Sequence, residues 1–417
     1  INDAPRTTFE RASNVKYQPV IRHVLATMLL VSFTLVVTEC AAQETRMTSE
    51  LLWRLGRLGT PSLSSDGTQV AYAVRRYDLK ANSGKSTIYR RDLNSDRQRE
   101  LLVDWAAVSD LQFGGSPFGE RLYFTGHARK GDVSQVWALN PTDGGVYQVT
   151  RFGASDFKPT HSNVSDDSGG DEGEKEEFGG VANLKVAPSG KHIAFTVDIK
   201  LDSEVNELYD DLPKADARII DSLMFRHWNA WHDFKYSHLH VAAIGESGRA
   251  ETPVDLMEGQ RVDCPVPPFG GTEQFAWSPD GKEIAYTAKD VGNWAESTNS
   301  DVYLIDINDL SSAKNVTQGM LGYDNNPVYS PNGKLLAFHS MERASFESDR
   351  NRIMIYDRGS GKIRDTTEGL DQTAHGAIWT PDSSGLIFTS ERQGTDQLFR
   401  VDIGKPGAQA ISSGRFN

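Results

Sequence analysis

The chain has 417 residues, 38% of them hydrophobic and 24% charged, and a formal net charge of −13. This composition fits a folded chain with room for two or three domains or one large repeat architecture, and excludes a disordered one. Lys and Arg are scattered rather than gathered into a basic stripe, which argues against a nucleic-acid partner.

Near the N-terminus, Arg22 and His23 precede an apolar run from Val24 to Val37. At 14 residues this run is shorter than the ~20 a spanning helix needs. It reads as a secretory signal with cleavage at Cys40-Ala41-Ala42, so residues 1–42 are assigned to an extension and signal peptide. The expected location is periplasmic or secreted. Lipid anchoring at Cys40 is disfavoured, because Glu39 stands where a small residue is needed. Beyond the signal only Cys264 remains, which rules out an internal disulfide and reads as a buried, inert thiol.

From Thr48 onward one pattern recurs. "PSLSSDGTQVAYAV" from Pro61, "FAWSPDGKEIAYTA" from Phe275, "PVYSPNGKLLAFHS" from Pro327 and "AIWTPDSSGLIFTS" from Ala377 can be superimposed. Weaker copies start at Leu111 and Leu184. Each copy is an apolar strand start, a turn and an alternating apolar strand. Pro presets one corner of the turn, Gly supplies positive φ, and Asp or Asn bonds back to the local backbone. The turn glycines read as Gly67, Gly119, Gly190, Gly281, Gly333 and Gly385, separated by 52, 71, 91, 52 and 52 residues. Third strands are predicted at Ser86–Leu93, Ser134–Asn140, Ser300–Ile307, Asn351–Arg358 and Asp396–Ile403, and fourth strands at Val146–Thr150 and Lys314–Gly319. Four strands per period is the signature of a β-propeller blade. The fold class is therefore all-β, a β-propeller over residues 48–417. About six blades are present.

The two long intervals hold insertions. Residues 161–180 are rich in Ser, Gly and acids, and read as a solvated loop rather than a metal site. Residues 201–236 carry Ile220, Met224, Trp228 and Trp231 at three- and four-residue spacing, which predicts a helix over 211–234 capped by Asp210 or Asp211. Such insertions lie on one face of a propeller, often the face that meets a partner.

Several chemical motifs fail. Ser83–Thr87 and Gly359–Lys362 lack the leading Gly of a phosphate loop and read as hairpin tips. His227, His232, His238 and His240 lack the Cys or Glu partners of a zinc site. No G-x-S-x-G occurs, no catalytic residue is assigned, and no metal or cofactor is expected.

"DLPKADARIIDSLMFRHWNAW" from Asp211 resembles the propeller insert of dipeptidyl-peptidase V and related acylaminoacyl-peptidase-like enzymes, which belong to the prolyl oligopeptidase family of serine peptidases. The segments from Met257 to Tyr286, Thr298 to Arg343 and Glu347 to Asp357 resemble the blades that follow it. The resemblance implies that the six blades are an incomplete seven- or eight-bladed ring, and that the propeller covers a C-terminal α/β-hydrolase domain that holds Ser, His and Asp. That domain has no counterpart in this sequence, so the 417 residues read as a fragment that hydrolyses nothing by itself. The family's reaction would release dipeptides or acylated residues from the N-termini of short peptides.

A positive α-amine is best held by carboxylates. On this reading Glu204, Glu207, Asp210 and Asp211 place the substrate amine, and Arg226, His227, Trp228 and Trp231 complete the substrate-side wall or the domain boundary. The expected partners are short peptides and the hydrolase domain, with a homodimer left open. The alternative from another class is a non-enzymatic periplasmic propeller that binds proteins, like the Tol-system protein.

Overall fold

The computed structural model describes residues 47–95, 97–116, 119–157, 178–405 and 407–415. The signal segment with Cys40, and the acidic loop up to residue 177, lie outside the described residues. The chain divides into two compact units. Of the first, Ile1–Leu55, the described part is a short helix, α1 (Ser49–Arg54), whose Leu51 N–H is capped by the Thr48 hydroxyl at 3.1 Å. No helix among the described residues is long and apolar enough to cross a membrane.

Among the described residues the second unit, Gly56–Asn417, holds six antiparallel sheets of four or five strands in chain order, as expected of six blades, and one two-stranded hairpin. Sheet 1 spans Arg57–Leu58, Ser62–Leu63, Gln69–Asp78, Ser83–Asp92 and Gln98–Trp105. Sheet 2 comprises Ala107–Gly114, Arg121–His127, Gln135–Leu139 and Val146–Gln148, and sheet 3 Ala182–Val186, His192–Lys200, Lys235–Ala243 and Val254–Asp255. Sheet 4 comprises Phe275–Trp277, Glu283–Ala288, Asp301–Asp306 and Asp309–Asn315. Sheet 5 holds Asp324–Tyr329, Leu335–Ser340, Arg352–Asp357 and Ile363–Asp365, and sheet 6 His375–Trp379, Gly385–Arg392, Thr395–Asp402 and Gln409–Ala410. The predicted third strands fall within a few residues of these. The fourth strand of sheet 4 starts earlier than expected, because the preceding turn is only Ile307–Asn308. Ser83–Thr87 opens a strand instead of forming a hairpin tip, since Gly84 pairs with Tyr77 across the ladder.

The core lies between sheets. Five clusters of buried residues each join two consecutive sheets, from Ala71, Ile88, Leu122 and Phe124 between sheets 1 and 2 to Ala337, Ile355, Phe388 and Val401 between sheets 5 and 6. Alternation sorts the side chains. In Leu335–Ser340, Leu336 and Phe338 face sheet 4 whereas Ala337 faces sheet 6. Each fully buried Phe or Leu contributes roughly 1.5–3 kcal/mol. Cys264 is buried in the cluster between sheets 3 and 4, and burial pushes its thiol pKa up, as expected of an inert thiol.

The turns are built by a hydroxyl as well as by the acid. Ser64, Ser278, Ser330 and Thr380 are all buried and accept a backbone N–H five residues on, from Gln69, Glu283, Leu335 and Gly385 at 3.0 Å. Each hydroxyl also contacts Asp66, Asp280, Asn332 or Asp382 at 2.6–2.8 Å. The left-handed seat is Gly67, Gly119, Gly190, Gly281 and Gly333, but in sheet 6 it is Ser383 (φ 60°), not Gly385. Gly385 starts a strand, and a Cβ there would meet the Val401 carbonyl at 2.6 Å.

A second repeated device is invisible in the spacing. The first strands of sheets 2, 3, 5 and 6 each contain a bulge, where three residues advance against two on the neighbour. The bulge residues Asp110, Asn183, Asn326 and Gly376 have φ of 53–58°, which Asn, Asp and Gly tolerate best.

Candidate functional site at the sheet 3 insert

The insert connects the second and third strands of sheet 3. These strands pair residue for residue from His192↔Ala243 to Lys200↔Lys235, and the Leu201 and Asp202 N–H groups then donate to the Phe234 carbonyl at 3.1 and 3.2 Å. The antiparallel order places the insert at the end of its sheet opposite the Pro/Gly turns.

The predicted helix over 211–234 is not formed. One helical turn, α2 (Val205–Leu208), precedes it, and a small hairpin, Arg226–His227 paired with Ala230–Trp231, closes it. The three- and four-residue spacing misled because it has no surface to pack on. Ile220, Met224, Trp228 and Trp231 are all exposed, and a short isolated helix without a buried face is marginal in water.

Glu204 and Glu207 are both taken by Lys200, at 3.0 and 2.7 Å, and Glu207 also accepts the Glu204 N–H at 2.7 Å. Partial burial acts to raise the Glu207 pKa, but the Lys200 contact outweighs it and holds the carboxyl low. These two acids therefore cap α2 and are largely neutralised. Asp210 and Asp211 are exposed beside them.

Below the insert, Asp202 accepts from Arg261 Nε at 2.7 Å and from the Tyr236 hydroxyl at 2.8 Å. Its pKa is lowered because these contacts overcome partial burial. Neighbouring Asp263 accepts the Ser237 N–H at 2.8 Å, yet burial pushes it up to about 6.

The hairpin carries the aromatic groups. Arg226 donates to the Trp228 carbonyl, and His227 packs edge-on to Trp228 at 4.8 Å. Trp228 also meets Phe269, 80% exposed, at 5.7 Å. Trp231 packs on Phe225 with the rings tilted by 30° and lies under the Arg218 guanidinium at 5.4 Å. With Leu208, Tyr209, Leu212 and Leu223 also exposed, this forms an apolar surface of the kind that marks an interaction site. The structure thus groups Arg226, His227, Trp228 and Trp231 on one hairpin, and sets Glu204 and Glu207 apart on Lys200. Sequence reasoning missed Phe269, Asp202 and Arg261, which lie up to 67 residues apart and carry no local signature.

Two of the four histidines are core residues. His238 is fully buried between Asp255 and the Gln260 carbonyl, each at 2.8 Å, and His240 stacks on Phe195 at 6.0 Å. Among the described residues no group of three or more His, Cys, Asp or Glu side chains fits a metal ion.

Comparison with known proteins places this geometry. The TolB beta propeller domain family matches residues 274–417. Dipeptidyl-peptidase 5 of Porphyromonas gingivalis is 30% identical over 381 residues, covering 89% of this chain and 50% of that protein. The dipeptidyl-peptidase 5 of Porphyromonas endodontalis is 32% identical over 324 residues, covering 76% and 42%. Among solved structures, an acylaminoacyl peptidase of Pyrococcus horikoshii aligns with a TM-score of 0.59 at 14% identity, over 89% of this chain and 48% of that one. The β-propeller domain of the trilobed protease from Pyrococcus furiosus aligns with a TM-score of 0.52 at 13% identity, over 87% and 85%. The chain spans about half the length of the curated relatives it matches.

Proposed function

The chain is a homologue of the dipeptidyl-peptidase 5 proteins built on a TolB-type propeller, and on that premise we propose that it is the substrate-gating part of an exported serine exopeptidase. The observation that carries this reading is 30% identity sustained over 89% of the chain. In the whole enzyme, a serine activated by a histidine, itself oriented by an aspartate, attacks the peptide carbonyl, and water releases the dipeptide. The propeller restricts access to short peptides, and the exposed aromatic hairpin at the sheet 3 insert borders the route to the chemistry.

The experiment compares the full-length protein with the 417-residue chain on dipeptidyl chromogenic substrates. The full-length protein is expected to release dipeptides and to lose that activity after a serine-directed fluorophosphonate. The 417-residue chain is expected to hydrolyse nothing. Inhibitor-sensitive hydrolysis by that chain, or none by the full-length protein, overturns the reading.

Within this reading the amine-recognising acids narrow to Asp210 and Asp211, because Glu204 and Glu207 already hold Lys200. Asp210→Asn and Asp211→Asn together should raise KM for free-amine substrates about tenfold, which corresponds to ~1.4 kcal/mol, and leave acylated substrates unaffected. Glu207→Gln should instead lower stability by about 0.5–1 kcal/mol with KM unchanged, since its carboxylate serves the cap. Steady-state kinetics with paired free and acetylated substrates separates the two.

A further inference from the structure

The first strand of sheet 5 breaks the repeat at a buried seat. Two residues ahead of the bulge, sheets 2, 3 and 6 carry Val108, Val181 and Ala374, whereas sheet 5 carries Asp324. Val181 and Ala374 are buried, so the seat is apolar by design, and Asp324 is fully buried in it. No donor stands in good hydrogen-bonding geometry to either carboxylate oxygen of Asp324; the Ser340 and Thr317 hydroxyls lie beside it, and burial, reinforced by the charge of Asp301, pushes its pKa up to about 7. A buried carboxylate without a donor is costly, and nothing in the repeat demands one.

The donors beside it are shared with other acceptors. Asp324 pairs in register with Ser340, whose hydroxyl proton goes to the Met341 carbonyl. The Thr317 hydroxyl gives its proton to Asp301 at 2.9 Å, and Asp301 is itself 7% exposed. Arg352 directs its guanidinium to Ser340 at 3.2 Å and to Glu342 at 3.1 Å. At the matching end of sheet 4, Thr287 lies on the strand face that Ala285 turns toward sheet 5. Its hydroxyl is fully buried and also lacks a partner. Two carboxylates and several hydroxyl oxygens thus gather at one end of the interface between sheets 4 and 5, and above about pH 7 Asp324 is a buried anion with no well-placed donor.

We propose that this end of the interface binds a monovalent metal cation, sodium or potassium, held by the carboxylates of Asp324 and Asp301 with the neighbouring hydroxyl oxygens. A hard cation supplies the positive charge that the orphaned oxygens lack. A divalent ion is disfavoured, because the described residues offer no third carboxylate or imidazole to the site and Arg352 stands beside it. The cation joins the third strand of sheet 4 and the segment after its fourth strand to the first strand of sheet 5, so it fastens two blades together.

The test is thermal unfolding of the purified protein at pH 8 in 200 mM NaCl, KCl or N-methyl-D-glucamine chloride. At equal ionic strength, sodium or potassium should raise Tm by about 3–5 °C over the bulky cation, and the better of the two identifies the ion. Asp324→Val, which restores the residue of sheets 2 and 3, should remove that difference and match or exceed the parent protein in N-methyl-D-glucamine chloride. If the valine variant does not fold, Asp324→Asn keeps the shape without the charge and should abolish the salt preference alone. Equal Tm values in all three salts for the parent protein, or a sodium or potassium effect that survives both substitutions, overturns the proposal. So does a crystal soaked in thallium(I) that shows no anomalous peak between Asp324 and Asp301.

Discussion

Gly190→Ala is expected to destabilise the propeller by about 3–5 kcal/mol, while the same change at Gly281 or Gly333 costs about 1 kcal/mol. All three glycines hold the same left-handed seat, with φ of 67–69°. The backbone cost of alanine there is therefore shared, roughly 1 kcal/mol each. What differs is the neighbour. A Cβ on Gly190 would sit 2.4 Å from the Gly115 carbonyl carbon, the backbone of the preceding blade's turn. At Gly281 and Gly333 the nearest atoms are side chains at 3.6 and 3.8 Å, in ordinary contact. Urea unfolding of the three variants reads the difference as a shift in midpoint at constant slope. Equal losses in all three would show that the turns of sheets 2 and 3 do not pack as described.

Replacing His339 by threonine is the second change with a large expected effect, and it shows only in acid. Burial, reinforced by the charge of His375, lowers the His339 pKa to about 4, against 6.5 in an exposed imidazole. Above pH 6.5 the ring is neutral in both folded and unfolded chains, so it adds no pH dependence. As pH falls from 6.5 toward 4 the unfolded chain takes up the proton first, and stability is lost. The loss attributable to this ring is about 2 kcal/mol at pH 5 and ~3 kcal/mol by pH 4. The same seat holds Thr125, Thr196, Thr287 and Thr389 in sheets 2, 3, 4 and 6, and Ala73 in sheet 1, so His339→Thr should fold normally and be near-neutral at pH 8. At pH 5 the variant should exceed the parent by about 2 kcal/mol in urea unfolding. Parallel pH curves for the two proteins would refute a buried neutral imidazole.

The blade repeat was legible because it is local. Strand alternation and Pro-Asp-Gly turns fall within fourteen residues, and four copies share the Ser or Thr whose hydroxyl closes the turn. The errors have physical causes. Gly385 reads as the turn glycine because Gly is the usual left-handed residue, yet the turn closes two residues earlier and Ser383 accepts the strain. The bulges escaped notice because Asp110, Asn183, Asn326 and Gly376 share a backbone conformation rather than a residue type.

The insert shows the opposite failure. A helical period is evidence for a helix only when something covers its apolar face, and Ile220, Met224, Trp228 and Trp231 remain uncovered among the described residues. Residue type alone also does not show that Glu204 and Glu207 are paired. Their partner Lys200 belongs to the strand beneath, which the reading of the insert by itself did not weigh.

The five interlayer clusters make the protein behave as a linear array. Sheets 2 to 5 are flanked on both faces, whereas among the described residues sheets 1 and 6 are flanked by a cluster on one face only. Leu58, Leu63 and Val103 remain exposed on sheet 1, together with a groove of about 730 Å³, and Ile378, Leu398 and Ile411 remain exposed on sheet 6. In such an array each unit is stabilised by its nearest neighbours, and opening propagates inward from the ends. Amide hydrogen exchange should therefore be slowest in the second strands of sheets 3 and 4 and fastest in the outermost strands of sheets 1 and 6. Whatever engages those two end faces gains leverage over the whole array, because fastening an end suppresses the fraying from which every deeper opening starts.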